Sequence, residues 1–421
     1  MPFKLKQDQA GEPSTVWLIR PISGLDQKSP SVPFILSESV MADHDLLIIG
    51  AGISGLSMSH YAASAGWDTR VLEPEHRPGG CLHSHRFAGA LDGFWLEMGA
   101  HSGFNSYGNL LAIMEEIGLL DCVQRRAGVG FRMFVDGRIK SIPSQLYYPA
   151  LPLAPFRLLG LIKTGRNIAE YYGHIVGRRN YAAVVEPAFN AVVCQRADDF
   201  PADSLFQPRP RRKGIPRSFT LPGGLQTIAD TLNMRPGTRI EFGQTARALH
   251  RAGEDFVVRT DNREYTARAV CLATPVAVAA ELLGAEFPDL AGRLAEIDTA
   301  TVESVGVALP ADRLRLPLLA GLIGRDEAFY SAVSRDTVPD AKYRGFTFHF
   351  RPGVLDEEGK LNRIAQVLGA SRVALGSENV VFRINRLPML RVGHGERTRG
   401  LDRALAGNRL ALTGNYFTGL A

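Results

Sequence analysis

Cysteine is scarce in this 421-residue chain, and the four present, Cys81, Cys122, Cys194 and Cys271, form no CxxC pair and no metal-ligand spacing. That excludes a disulfide framework and a thiolate metal centre, and it fits a reducing, cytoplasmic setting. No cluster of metal ligands or activated nucleophile is found elsewhere, so no metal is expected. No apolar run reaches the roughly 18 residues of a membrane span, and the N-terminus lacks a signal-peptide core. Charge of one sign is missing too: Lys plus Arg is 48 against 43 for Asp plus Glu, a net +5, with a pI near 9.0. So mild a basic excess gives no support for nucleic-acid binding. It suits an anionic small molecule or lipid headgroups.

What the chain has in quantity is apolar residues, at 45%, and glycine, at 43 positions, enough for a large core divided into two or three lobes. Its most informative stretch is Asp45 to Glu73, DLLIIGAGISGLSMSHYAASAGWDTRVLE. Leu46 to Ile49 is a short apolar run of the kind that fills a parallel strand buried on both faces. Gly50, Gly52, Ser54 and Gly55 follow. The first glycine permits a tight turn, the second lets a pyrophosphate approach the backbone, and the third lets the helix pack on the strand. The helix is expected to run to about Ala65, with Gly66 past its end, and Thr69 to Leu72 to form the next strand. Glu73 closes that strand at the distance where a carboxylate receives a ribose hydroxyl. A dinucleotide is therefore the expected ligand.

Arg77, Pro78, Gly79, Gly80, Cys81, Leu82, His83 and Ser84 come next. They resemble the second phosphate-contact motif of the FAD-dependent protoporphyrinogen oxidase, flavin amine oxidase and phytoene desaturase superfamily, which usually has Arg or Lys where this chain has Cys81. The resemblance continues to the C-terminus. Leu96 to Gly103, with Gly99, Ala100 and His101, is similar to the segment that passes beside the flavin ring. Ser218 to Gln226 is similar to the return into the FAD domain. Ala246 matches a position beside the adenine, and Thr274 and Pro275, in AVCLATP, match a turn against the cofactor. Asn385 to His394 and Leu410 to Gly419 resemble the closing segments, in which the backbone and side chains of Gly414, Asn415 and Tyr416 meet the ribityl chain.

The fold so implied is α/β: a discontinuous, Rossmann-like FAD-binding domain of the glutathione-reductase type, a mixed-sheet substrate domain and a helical insertion. Its expected parts are a leader over 1–41, which reads as an upstream extension, and an FAD domain from 42–106, 216–290 and 380–421. The substrate domain is expected from 125–145 and 291–379, and the insertion over 146–215. The insertion mixes Leu, Pro and aromatic residues with Arg157, Lys163 and Arg166, a composition that suits a bilayer surface, so a peripheral membrane contact is an expected partner. The family continues with a further helix after the last motif, which implies a truncated C-terminus.

Relatives that oxidise amines carry a Lys in the strand matching Thr301 to Leu309 and aromatic residues in the stretch matching Asn385 to His394. This chain has neither, and no cysteine lies near the C-terminal motif. The resemblance therefore implies non-covalent FAD and a protoporphyrinogen-oxidase-like activity on a small-molecule substrate, expected to be an anionic tetrapyrrole. Three alternatives stay open: a desaturase or oxidase of an isoprenoid or specialised metabolite, a redox-neutral FAD-dependent isomerase, and a non-catalytic FAD-binding protein. Candidate substrate contacts are His101 and, as anchors for a propionate, Arg217, Arg386 and Arg391.

Overall fold

The structure, a computed structural model, describes residues 42–418. The expected leader and the last residue of the 410–419 segment lie outside the described residues. Two seven-stranded sheets organise the rest. At the centre of the first is His44–Ile49, parallel to Thr69–Glu73 on one side and to Glu264–Leu272 on the other. Leu46, Leu47, Ile48 and Ile49 are all at most 4% exposed, which is why the run is continuously apolar instead of alternating. Ile240–Phe242 extends the parallel edge. Beyond Glu264–Leu272, the antiparallel strands Asp255–Thr260 and Ala246–Ala252 cover its first half, while Leu410–Leu412 runs parallel to its second half. One sheet thus draws strands from three separated stretches, the discontinuous arrangement expected.

The second sheet is ordered Val380–Pro388, Thr299–Pro310, Tyr343–Phe350, Phe329–Ser334, Gly321–Gly324, Phe131–Val135 and Arg138–Lys140. All its pairings are antiparallel except that of Gly321–Gly324 with Phe131–Val135, so the sheet is mixed. The hairpin turn is Asp136 and Gly137, both at positive φ. One face of this sheet packs Val305, Val307, Phe346, Phe348 and Phe350 against the helix Glu357–Leu368. Each fully buried Phe contributes on the order of 2 kcal/mol.

One expected boundary is corrected here. Residues 380–388, assigned from sequence to the FAD domain, form the edge strand of the substrate sheet, paired with Thr299–Pro310 over its whole length. The return to the first sheet comes after Pro388. Ladder pairing with a partner about 80 residues away decides this, and no local pattern reports it.

The insertion is helical as expected. Its longest helices are Ile168–Val176, opened by a capping box in which Asn167 and Glu170 bond each other's backbone N–H, and Glu186–Val193. Both contribute to a small core of Ile168, Phe189, Val193, Ala197, Phe200 and Leu390.

Candidate functional site

The parallel strands of the first sheet end on one edge, where their connections gather the expected cofactor residues: Gly50 to Gly55, Glu73, Thr274 and Pro275, and Gly414 to Tyr416. This is the crevice at which open α/β sheets bind ligands. Two of the three glycines are required by the chain itself. A Cβ on Gly50, at φ +103°, would lie 2.6 Å from the Ala273 carbonyl oxygen, and one on Gly55 would lie 2.0 Å from the Gly50 oxygen. Gly52 differs: it has an ordinary extended backbone (φ −66°, ψ 171°), and a Cβ there would meet nothing within 4 Å. Its smallness serves no packing need of the protein and leaves the crevice open to a ligand's backbone approach.

The helix Ile53–Ser64 begins directly after Gly52, without a side-chain cap, so the first-turn N–H groups, Ser54's among them, are left to an anion. Glu73 is buried under this turn. Its Oε2 accepts from Ala51 N–H at 2.7 Å and its Oε1 from Glu75 N–H at 2.9 Å, which fixes the carboxylate while each oxygen keeps acceptor capacity for a ribose. Burial, opposed by those two bonds, pushes its pKa up. Gln244 N–H donates to the Glu73 carbonyl at 3.0 Å, which brings the Ala246 strand to the same end. Thr274, beside Gly50, has a buried hydroxyl with no protein partner. An open glycine, an uncapped helix, a fixed acid and an orphaned hydroxyl fit a dinucleotide.

The second loop is tied to the first and to the 97–101 segment. Gly79 N–H donates to the Ala51 carbonyl at 2.8 Å, and Ala100 N–H to the Cys81 carbonyl at 2.8 Å. Gly79 and Gly80 both take positive φ, and a Cβ on Gly99 would lie 2.2 Å from the Cys81 oxygen. The Cys81 thiol is accessible but sits inside the cleft, and burial pushes its pKa up against the opposing fields of Arg383 and Arg77. His83 is pushed down to about 3, mainly by burial, then by Arg77 and Arg383. Arg383, from the edge strand of the substrate sheet, therefore brings a cation to the loop where Cys81 has none. Its terminal nitrogen donates to Glu75 Oε1 at 3.1 Å, while its Nε is buried without a partner.

Two expected cofactor contacts are corrected. The Ser84 hydroxyl is committed within the protein, donating to Glu97 Oε2 at 2.7 Å and accepting from Gln226 N–H at 3.1 Å. The Tyr416 ring is wholly buried in the core of the first sheet, so of this residue only the backbone lies at the turn. Its carbonyl already accepts from His394 Nε2 at 2.6 Å. Apolar packing under the sheet outweighs the placement that the motif implied.

Beside this crevice, the 94–101 segment meets the free face of the substrate sheet. Glycines in two neighbouring strands make the approach possible: a Cβ on Gly306 would lie 2.6 Å from Met98 Sδ, and one on Gly345 2.4 Å from a Leu96 methyl. Thr347 Oγ1 donates to the Glu97 carbonyl at 2.8 Å. His101 lies in this seam, its Nε2 2.8 Å from Nε2 of His349, and Arg126 donates to its carbonyl. Burial, then His349 and Arg126, hold the His101 pKa well below the usual histidine value.

The three expected arginine anchors are not in the seam. Arg217 is exposed. Arg386 is exposed with Phe382 and Ile384 on the face of the edge strand opposite to Arg383 and Asn385. Arg391 is committed to Asp298, at 2.8 and 3.0 Å. His349, Asn385, Ser304 and Arg126, which do line the seam, were not identified from sequence. Among the described residues no group of His, Cys, Asp and Glu is placed to hold a metal.

Comparison with known proteins agrees with this geometry. Residues 53–342 match the family described as flavin containing amine oxidoreductase. Among curated relatives, a 15-cis-phytoene desaturase of Narcissus pseudonarcissus is 34% identical over 80 residues, 19% of this chain and 14% of its own. An L-amino-acid oxidase of Daboia russelii is 29% identical over 213 residues, 47% of this chain and 36% of its own. The chain thus spans well under half the length of these relatives. Among solved structures, a crystal structure from Exiguobacterium provisionally named protoporphyrinogen oxidase superposes with a TM-score of 0.72 at 18% identity, covering 90% of this chain and 96% of that one. Reduced UDP-galactopyranose mutase gives 0.67 at 16%, covering 89% and 90%. Matched over more than half its length, with its glycine crevice and acid in place, the chain belongs to the flavin-containing amine oxidoreductase family, and its cofactor is FAD.

Proposed function

We propose that this chain is an FAD-dependent oxidoreductase that takes hydride from a carbon centre in the manner of protoporphyrinogen oxidase. The observation that supports it is that the two imidazoles lining the seam are neutral. His101 and His349 face each other with both pKa values depressed by burial, and Ser304 and Asn385 stand behind them. Such a lining suits removal of hydride from an uncharged C–H better than deprotonation of an ammonium. FAD, when bound, accepts the hydride and passes the electrons to oxygen or another acceptor. The chain's residues hold the substrate between crevice and sheet and exclude water through the close approach at Gly306 and Gly345.

A second reading, desaturation of an isoprenoid, draws on the insertion. Phe156, Leu159, Ile162 and Phe206 are 71%, 78%, 68% and 70% exposed, with Arg166 exposed among them, Arg157 half-buried and Lys163 donating to the Leu205 carbonyl. Apolar side chains among cations fit the headgroup boundary of an anionic bilayer, and each one buried there contributes on the order of 2 kcal/mol. The proposed setting is the cytoplasmic surface of a membrane, from which a lipophilic substrate can be taken. Vesicles of anionic phospholipid should co-sediment the FAD-loaded protein, and Phe156→Asp combined with Leu159→Asp should lower the bound fraction about tenfold. Equal binding by the variant would remove the membrane proposal.

Anaerobic mixing of the FAD-loaded protein with protoporphyrinogen, followed by flavin absorbance and porphyrin fluorescence, tests the first reading; phytoene in vesicles tests the second. Flavin bleaching with porphyrin formation is the expected result. Bleaching by phytoene alone selects the second reading. Substrate conversion without bleaching or acceptor consumption indicates a redox-neutral reaction, and no response to either compound overturns both.

A further inference from the structure

Four side chains from three strands and one loop stand in series across the seam, and their chemistry fixes the direction of every hydrogen bond. Asn385 Nδ2 is 2.8 Å from the Met98 carbonyl oxygen and 2.9 Å from Ser304 Oγ. A carbonyl only accepts, so the amide nitrogen must face it, and the same NH₂ donates to Ser304. Ser304 is 1% exposed, and its Oγ lies 3.0 Å from His349 Nδ1. With Asn385 acting as donor, the serine hydrogen has His349 Nδ1 as its acceptor. That ring, 4% exposed, then carries its proton on Nε2 and donates it across 2.8 Å to His101 Nε2. His101 is left with its proton on Nδ1. The series begins at an amide that gives up no proton, so it transmits orientation and not protons.

We infer that Asn385, Ser304 and His349 are positioning residues that lock His101 as the neutral Nδ1–H tautomer, a permanent hydrogen-bond donor toward the flavin and substrate held in the cleft. This rests on the reading that the seam flanks the bound FAD. Two neutral imidazoles fit the setting: Arg126 donates to the His101 carbonyl and to Thr337, Glu97 and Arg335 lie behind it, and Arg383 is two residues from Asn385 on the same strand. A proton added to either ring would place an imidazolium in a buried seam beside Arg126. Burial lowers His349 to about 4, in agreement.

The test needs no substrate, so its failure is separate from failure of the proposed reaction. In FAD-loaded protein labelled with ¹⁵N-histidine, imidazole correlation spectra from pH 5.5 to 8 should show His101 protonated on Nδ1, His349 on Nε2, and neither titrating. His349→Ala should release His101 to a mixture of tautomers and raise its midpoint, because one of the causes that hold it down is removed while burial and Arg126 remain. His349→Gln, whose amide can still donate to Nε2, should restore the Nδ1–H form. The flavin absorption spectrum should be independent of pH in the wild type and in His349→Gln, and should acquire one transition near that midpoint in His349→Ala. Finding His101 protonated on Nε2 in the wild type, or unchanged in His349→Ala, overturns the locked tautomer. A flavin spectrum of His349→Ala that ignores the His101 titration overturns its role at the cofactor.

Discussion

Gly52→Val should fold normally and fail to hold FAD. The backbone at Gly52 is one that valine adopts without strain, and no protein atom lies within 4 Å of the added Cβ. Loss of glycine from this helix-cap position costs the fold roughly 1 kcal/mol at most. The new side chain instead fills the space through which a pyrophosphate approaches the helix N-terminus. Affinity should fall at least about 100-fold, or roughly 3 kcal/mol, measured by titrating apoprotein with FAD and following flavin fluorescence. Circular dichroism and the urea midpoint of the apoprotein should stay near the wild-type values. Gly55→Ala is the contrast, because its Cβ would lie 2.0 Å from the Gly50 oxygen, and folded protein should be lost. Wild-type affinity in Gly52→Val would show that the cofactor does not cross this glycine.

Glu97 should make the protein less stable as pH rises from 4.5 to 7. It is buried at the junction of three parts of the fold, accepting from Ser84 and from Leu225 N–H at 2.8 Å, while its backbone carbonyl takes Thr347. Burial is the main cause that raises its pKa from 4.5 to about 7, against the Leu225 and Ser84 bonds. Between those values the folded state keeps a proton that the unfolded chain has released, so stability is fully present below 4.5 and lost as pH rises through 7. At 1.36 kcal/mol per unit the loss is about 3 kcal/mol. Other groups titrate in the same window, so the informative quantity is the difference from Glu97→Gln, which has no charge to bury. Urea midpoints across pH 4 to 8 should show the wild type losing that advantage up to pH 7 and then running parallel to the variant. A difference that is constant with pH would mean that Glu97 is ionised throughout.

The features legible in the sequence were those whose physical cause is local. A tight glycine turn after a buried apolar run, an uncapped helix and an acid at the end of the next strand lie within 29 consecutive residues, Asp45 to Glu73, and each is dictated by its neighbours. Placement of side chains on longer elements was less legible. Arg386 and Asn385 are adjacent in sequence, but strand alternation sends one to solvent and the other into the seam, and the register that decides which is which comes from pairing with Thr299–Pro310. Arg391 was a free cation until the fold brought Asp298 beside it. Tyr416 was a cofactor contact until the core of the first sheet enclosed its ring.

The dinucleotide crevice is written along the chain in short range, because a pyrophosphate is recognised by backbone, and backbone shape is set by glycines at fixed short spacings. What faces that crevice depends on long-range packing. His101 and His349 are 248 positions apart, and Asn385 reaches Met98 over 287. No periodicity or motif links residues at such separations. They meet because Gly306 and Gly345 let one sheet settle against the 94–101 segment, and the tautomer of His101 follows from that contact alone.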